Sequence, residues 1–252
     1  MLFVGAGAIA TPAEGPHLLN EALKNVSQDM SRWAYTEAIV QKDSKGKIKK
    51  ETVVRVDPSR PYVEQYRLLS VGGKEPTEKQ QREYRRRGEK AGEAAERKER
   101  GLPQSSKRRS QKVGDLVALD KSVVTAEDAQ SITYEVPLRK DDNNRFPPEK
   151  FLVLARVNKE QRAIENVSVK LREPLRAKLI LKIKSGDAVV DFTSVDPKFA
   201  PVMSSVEGDA VASILFVNVG GSLELKRTDF KRVKPYNDRF DVEIGPSKAL
   251  DF

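Results

Sequence analysis

The residues whose chemistry could drive a reaction are few and poorly matched to one another. His17 is the single histidine, and cysteine is absent. Disulfides, thiol nucleophiles, iron–sulfur clusters, Cys-containing zinc sites and multi-histidine metal sites are therefore excluded. A Ser-His-Asp arrangement would have to be built on His17, which stands beside a segment that reads as targeting sequence. No GxSxG, HExxH, Walker or GxGxxG pattern occurs, and Gly5-Ala6-Gly7 has no strand before it. The carboxylates are turn formers by context. Asp141-Asp142 adjoin Asn143-Asn144 at a spacing unlike that of an EF-hand, and Asp57 and Asp196 each precede a proline. No catalytic residue, metal or cofactor is assigned, and the expectation is a protein that is not an enzyme.

Two groups of side chains are suited to binding instead. The first is aromatic: Trp33, Tyr35, Phe151, Phe192 and Phe216. Such residues either line an apolar groove that holds an acyl chain or a peptide side chain, or fill a core by packing on one another. The second group is basic: Arg85-Arg86-Arg87 with Lys107-Arg108-Arg109. Residues 74–112 hold fourteen Lys/Arg and seven Asp/Glu, so this one segment carries +7 of the net +9. A cluster of this kind can meet phosphate on nucleic acid or on anionic lipid headgroups. It can equally be a solvated helix with i,i+4 pairs such as Glu83–Arg87 and Glu93–Arg97. Tyr84 is the one aromatic residue in the segment available for base stacking, and no Cys/His finger or RNP-like motif is present. These facts argue against nucleic acid and leave an anionic membrane surface as the expected charged partner of an exported chain.

The start of the chain bears on export. Leu2 to Ala10 is apolar and small, and Ala8, Ala10 and Ala13 offer small-residue cleavage sites. This is the back half of a secretory signal. No Lys or Arg precedes it, so residues 1–13 are read as a truncated signal and residues 14–252 as one periplasmic domain. No apolar run reaches the roughly 20 residues of a membrane-crossing helix.

The elements that must position these residues follow from periodicity. Leu18, Leu19, Ala22, Val26 and Met30 recur at helical spacing behind Pro16, which predicts a helix over 17–32. From Trp33 the period becomes two. Strands are expected up to Val40, over Ile48–Val56 and over Tyr62–Val71, with turns at Asp43–Gly46 and Asp57–Pro61. Thr77 can cap a charged helix over 77–100, which Gly88 and Gly92 should weaken. With the Gly/Pro/Ser-containing stretch 101–112 it forms an insert at 74–112. Strands resume at 131–138, 151–157, 163–171, 177–183 and 188–195, with Ser185-Gly186-Asp187 as a turn. Gly220-Gly221 divides a hairpin of 213–219 and 222–233, and 240–244 is a last strand. About ten short strands at such spacing mark a sandwich, a barrel or an open curved sheet.

This order of elements resembles the periplasmic lipoprotein carrier (LolA-like) superfamily. A helix enters a strand bearing Trp33, a meander and a helical excursion follow, and a second run of strands completes the chain. The stretches Asp57-Pro58-Ser59, Tyr66 to Gly73 and Pro76-Thr77 are similar to bacterial envelope proteins of that group. The resemblance covers roughly residues 17–244 and is one of architecture. It implies a mainly β, α+β fold: a strongly curved, unclosed antiparallel sheet (a half-barrel) with an N-terminal helix and a charged helical insert. It implies a concave side able to hold an apolar or acyl-bearing ligand or a lipidated partner. The charged helix departs from the carrier pattern, and no equivalent of the carriers' gating arginine can be placed. The alternative is an envelope sensor or interaction module that docks a protein partner or an anionic membrane through its basic insert.

Overall fold

The computed structural model describes residues 16–26, 30–101, 116–140, 147–178, 181–214 and 217–239. Two helices and eleven strands are assigned among them: α1 (Pro16–Val26), β1 (Trp33–Asp43), β2 (Ile48–Val56), β3 (Tyr66–Val71), α2 (Glu78–Glu99), β4 (Val123–Glu127), β5 (Ser131–Glu135), β6 (Phe151–Asn158), β7 (Ala163–Leu171), β8 (Leu175–Lys178), β9 (Leu181–Thr193), β10 (Val202–Ile214) and β11 (Val217–Arg232). Strand order is β3-β2-β1-β11-β10-β9-β7-β6-β5-β4, with β8 paired to β9 off this path. The ends β3 and β4 are not joined, so the sheet is unclosed, and every described pairing is antiparallel. The architecture is α+β, as expected from the sequence.

The chain divides into two compact units, each assembled from separated segments: Met1–Gln28 with Ser110–Gly220, and Asp29–Arg109 with Gly221–Phe252. In the first unit α1 packs on β6 and β7. Leu18, Leu19 and Ala22 enter a core with Ile132, Tyr134, Val136, Val153, Val157 and Ile164. The alternation of β6 produces this: Val153, Ala155 and Val157 are buried while Arg156 between them is exposed. Arg162, at the turn after β6, donates to Glu21 at 2.8 Å and ties that turn to the helix.

In the second unit Val54, Val56 and Leu68 form a small core with Tyr84 of α2. The turn into β2 follows the sequence reading. Asp43 Oδ1 accepts from the amides of Lys45 and Lys47, and Gly46 takes φ +78°. At the start of α2, Thr77 and Gln80 make a reciprocal cap. The Gln80 amide donates to Thr77 Oγ1 and the Thr77 amide donates to Gln80 Oε1.

Several expectations are corrected. The helix read over 17–32 is an α-helix only to Val26, and a 3-10 turn over Met30–Arg32 leads into β1. Tyr62–Glu64 is a 3-10 turn behind Pro61, so β3 starts at Tyr66. Ser185-Gly186-Asp187 is not a turn but the middle of β9. There the neighbour on one side of β9 changes from β8, paired through Ile183, to β7, paired through Asp187. Gly220-Gly221 is not a turn either and lies inside β11. A β-carbon on Gly220 would fall 2.2 Å from the Ala210 carbonyl oxygen, and one on Gly221 would fall 2.0 Å from that of Lys42. The glycines serve close backbone approach, not chain reversal. Strand β4 was not anticipated, nor was β10, and the strand expected at 213–219 instead falls on the end of β10, the start of β11 and two residues outside the described set. The strand expected at 240–244 and the Asp141–Asn144 loop lie outside the described residues.

Candidate binding cavities

In the first unit, a cavity of about 1100 Å³ opens where β5, β6 and the segments flanking them meet. Its apolar lining includes Val136, Leu138, Phe151 and Val153, and charges of both signs surround it: Lys121, Arg139, Lys140 and Arg172 with Asp120, Glu135 and Glu149. Pairing explains the arrangement. The Val136 amide donates to the Val153 carbonyl at 2.8 Å, which continues the β5–β6 ladder past the end of β5 and brings the two valines together. Phe151 lies two residues before Val153 on the same face of β6 and is half-buried. Both arginines are held in place. Arg172 is ion-paired to Glu135, and Arg139 Nε donates to the Val117 carbonyl at 2.7 Å.

The five aromatic residues singled out by sequence are dispersed. Phe151 lines this cavity. Phe192 packs against the core of the first unit and is not among the cavity's lining residues. Trp33 and Tyr35 belong to the second unit, where both touch Phe230, at ring-centroid separations of 6.4 and 5.9 Å. Trp33 is 2% exposed, with the Arg232 guanidinium 5.2 Å from its ring centre. Arg227 stands 4.6 Å over Tyr35 and pairs with Glu37 at 2.9 Å. Burial raises the pKa of Tyr35, and the charge of Arg227 opposes that rise. Phe216 lies outside the described residues.

The basic residues divide similarly. Helix α2 buries one narrow stripe, Tyr84, Gly88 and Gly92, and exposes Arg85, Arg86 and Arg87. Arg85 lines a second cavity, of about 490 Å³, within the second unit. Arg87 lies 4.1 Å from the ring centre of Tyr84, whereas the expected partnership was with Glu83. Among the described residues, Glu96 near the C-terminal end of this helix is ion-paired to Arg100 just beyond it. Lys107, Arg108 and Arg109 lie outside the described residues. His17 is exposed and 3.7 Å from Glu21.

Outside both cavities, Glu165 anchors a polar cluster. Burial alone would raise its pKa. Donors on Asn158, Ser131 and Arg156 outweigh that effect and hold the carboxyl below its ordinary range. Each polar group here has a partner, and the cluster ties β5, β6 and β7 together.

Sequence reasoning missed Val136, Leu138, Arg139 and Arg172, because they reach the cavity through strand pairing and loop contacts that periodicity does not encode. The alternation of Phe151 and Val153 was the signal available.

The sequence matches no protein-family model and no curated protein. Among solved structures the chain is similar to a LolA superfamily protein from Nitrosomonas europaea, at 10% identity and a TM-score of 0.35, over 90% of this chain and 96% of that one.

Proposed function

We propose that this chain is a non-catalytic, exported binding protein that holds an apolar or acyl-bearing ligand, and that the ligand seats in the cavity lined by Phe151. The observation that carries this reading is the cavity itself. Its volume, about 1100 Å³, slightly exceeds the roughly 300–1,000 Å³ of small-molecule sites, and its apolar lining beside charged groups suits a chain with a polar head. Export rests on the apolar run Leu2–Ala10 and the small residues after it. The test is native mass spectrometry of the purified chain, with a sub-micellar fluorescent fatty acid as probe. Saturable probe binding, lost in Phe151→Asp with the fold retained, is the expected result. Absence of probe binding in the parent chain overturns the reading.

A second reading is favoured by the narrow buried stripe of α2. Its outward arginines are free to approach an anionic membrane or a protein partner. Vesicle binding that falls steeply with salt, and is lost on deleting residues 77–112, would support it.

A further inference from the structure

The second cavity points to a different ligand, and the case begins with a pairing that is unfavourable as it stands. Arg55 of β2 and Arg67 of β3 are direct cross-strand partners. Like charges opposite one another destabilise a sheet. Arg67 has no hydrogen bond or ion pair with the described residues, nor does Arg85 of α2, and both line the same cavity of about 490 Å³ as Arg55.

Arg55 is held in one orientation. Its Nη1 donates to Thr36 Oγ1 at 3.2 Å and to the Asp229 carbonyl at 3.0 Å. Asp229 presents that carbonyl from a backbone with φ +53°, at the irregularity where β11 slips against β1. Non-glycine residues adopt this conformation at some cost, and such outliers concentrate at functional sites. The contacts through Nη1 leave the Nε–Nη2 edge of Arg55 without a protein acceptor among the described residues. That edge matches two oxygens of an oxyanion.

Arg60 completes the basic lining. Arg60 is ion-paired to Asp57 at 3.8 Å, and Asp57 Oδ1 also accepts from the amide and hydroxyl of Ser59. Glu64, like Arg60, Arg67 and Arg85, is exposed. Four guanidinium groups against two carboxylates leave a net +2 around the cavity.

We propose that this arginine basin is a binding site for a phosphate ester, with Arg55, Arg67 and Arg85 as the contacting residues. Guanidinium forks supplied from β2, β3 and α2 suit a tetrahedral oxyanion better than a planar carboxylate, which one fork can saturate. The volume has room for a polar substituent on the phosphate. The site is separate from the Phe151 cavity and does not depend on the ligand proposed there.

The full chain would be titrated at low salt with inorganic phosphate and glycerol 3-phosphate by calorimetry, and with phosphatidylglycerol and phosphatidylcholine vesicles by flotation. Saturable binding of a soluble ester identifies a free phosphoester as the source. Binding to phosphatidylglycerol vesicles alone identifies a lipid headgroup. Both outcomes support the site. The double variant R67Q/R85Q should lose about tenfold or more in affinity, since each lost contact is a charge-assisted hydrogen bond. The double variant K170Q/K198Q, which removes two positive charges at exposed lysines outside the cavity, should stay within about twofold of the parent.

A second readout separates a binding role from a structural one. Removal of one like charge predicts that Arg67→Gln melts at or above the parent temperature without ligand, yet no longer gains stability from added phosphate. Should the double variant not fold, Arg85→Gln alone, on the exposed helix face, makes the comparison. No binding of any phosphate probe, or an equal loss in K170Q/K198Q, overturns the proposal.

Discussion

The carbonyl oxygen of Tyr62 lies 1.8 Å from the point where a β-carbon on Gly88 would stand. Gly92, one turn later, faces the Tyr62 ring, 2.9 Å from its would-be β-carbon. The two glycines of α2 are thus a slot for the 3-10 turn at Tyr62–Glu64, and that turn carries the chain into β3 beside the arginine basin.

Gly88→Ala should therefore destabilise the protein by about 1–3 kcal/mol, the usual cost of forcing atoms into a packed contact. The sign is diagnostic, because in an exposed helix the same change stabilises by about 1 kcal/mol. Gly92→Ala should cost less, since a side chain can yield where a backbone carbonyl cannot. Urea unfolding of the two variants beside the parent checks both.

The Glu37–Arg227 pair is largely buried, at 17% and 13% side-chain exposure. Arg227→Met should destabilise by roughly 2–4 kcal/mol, because it strands the Glu37 carboxylate. It should also push the phenol of Tyr35 to a still higher pKa, since Arg227 is the charge that opposes the effect of burial there. Ultraviolet titration of the folded variant and its parent reads the second effect, which a purely mechanical loss of packing would not produce.

Stability should fall in acid through carboxylates whose folded pKa is depressed. For Glu165 the unfolded value is near 4.5 and the folded value lies lower. Its contribution is complete above the unfolded value and is lost as pH falls from there through the folded value. Asp128, whose carboxyl is lowered chiefly by the amides of Gln130 and Ser131, acts in the same direction from its ordinary 3.8. Glu165→Gln should reduce stability at neutral pH and flatten the acid limb of a melting-temperature profile. An unchanged limb would place the acid sensitivity elsewhere.

Trp33 is the single tryptophan, and it is buried beside Phe230 and Arg232. Its emission should be blue-shifted and shielded from iodide, with both properties lost on unfolding. Phe230→Ala should shift the emission to the red and cost less than the roughly 3–5 kcal/mol of a fully buried phenylalanine, because the ring is half-buried. Emission like that of an exposed indole in the folded parent would contradict this environment.

The parts legible in the sequence are those in which one residue's neighbours along the chain decide its geometry. The turn at Asp43–Gly46, the Thr77 cap and the alternation from Trp33 are of this kind. The misread turns share one cause. Glycine beside polar residues signals a chain reversal, yet Gly186, Gly220 and Gly221 lie inside strands. For Gly220 and Gly221 the role depends on which carbonyl of which distant strand passes overhead, that of Ala210 for the first and Lys42 for the second. The sites divide likewise. Phe151 and Arg85 could be singled out by residue type. The opposition of Arg55 and Arg67 is a fact of register, and register emerged only when β2 and β3 were paired.

Trp33 pairs with Arg232, roughly 200 residues later in the chain, and pairings of such long separation are slow to form. The unit holding β1 to β3 and α2 therefore lacks its fourth strand until β11 has been synthesised, while most of the other unit's residues emerge in between. A nascent chain must keep β1, with Tyr35 and Ile39 on it, from mispairing throughout that interval. Ribosome-stalled chains ending before residue 217 should remain protease-sensitive in this region, which makes a delayed, post-translational or chaperone-held assembly a built-in feature of the topology.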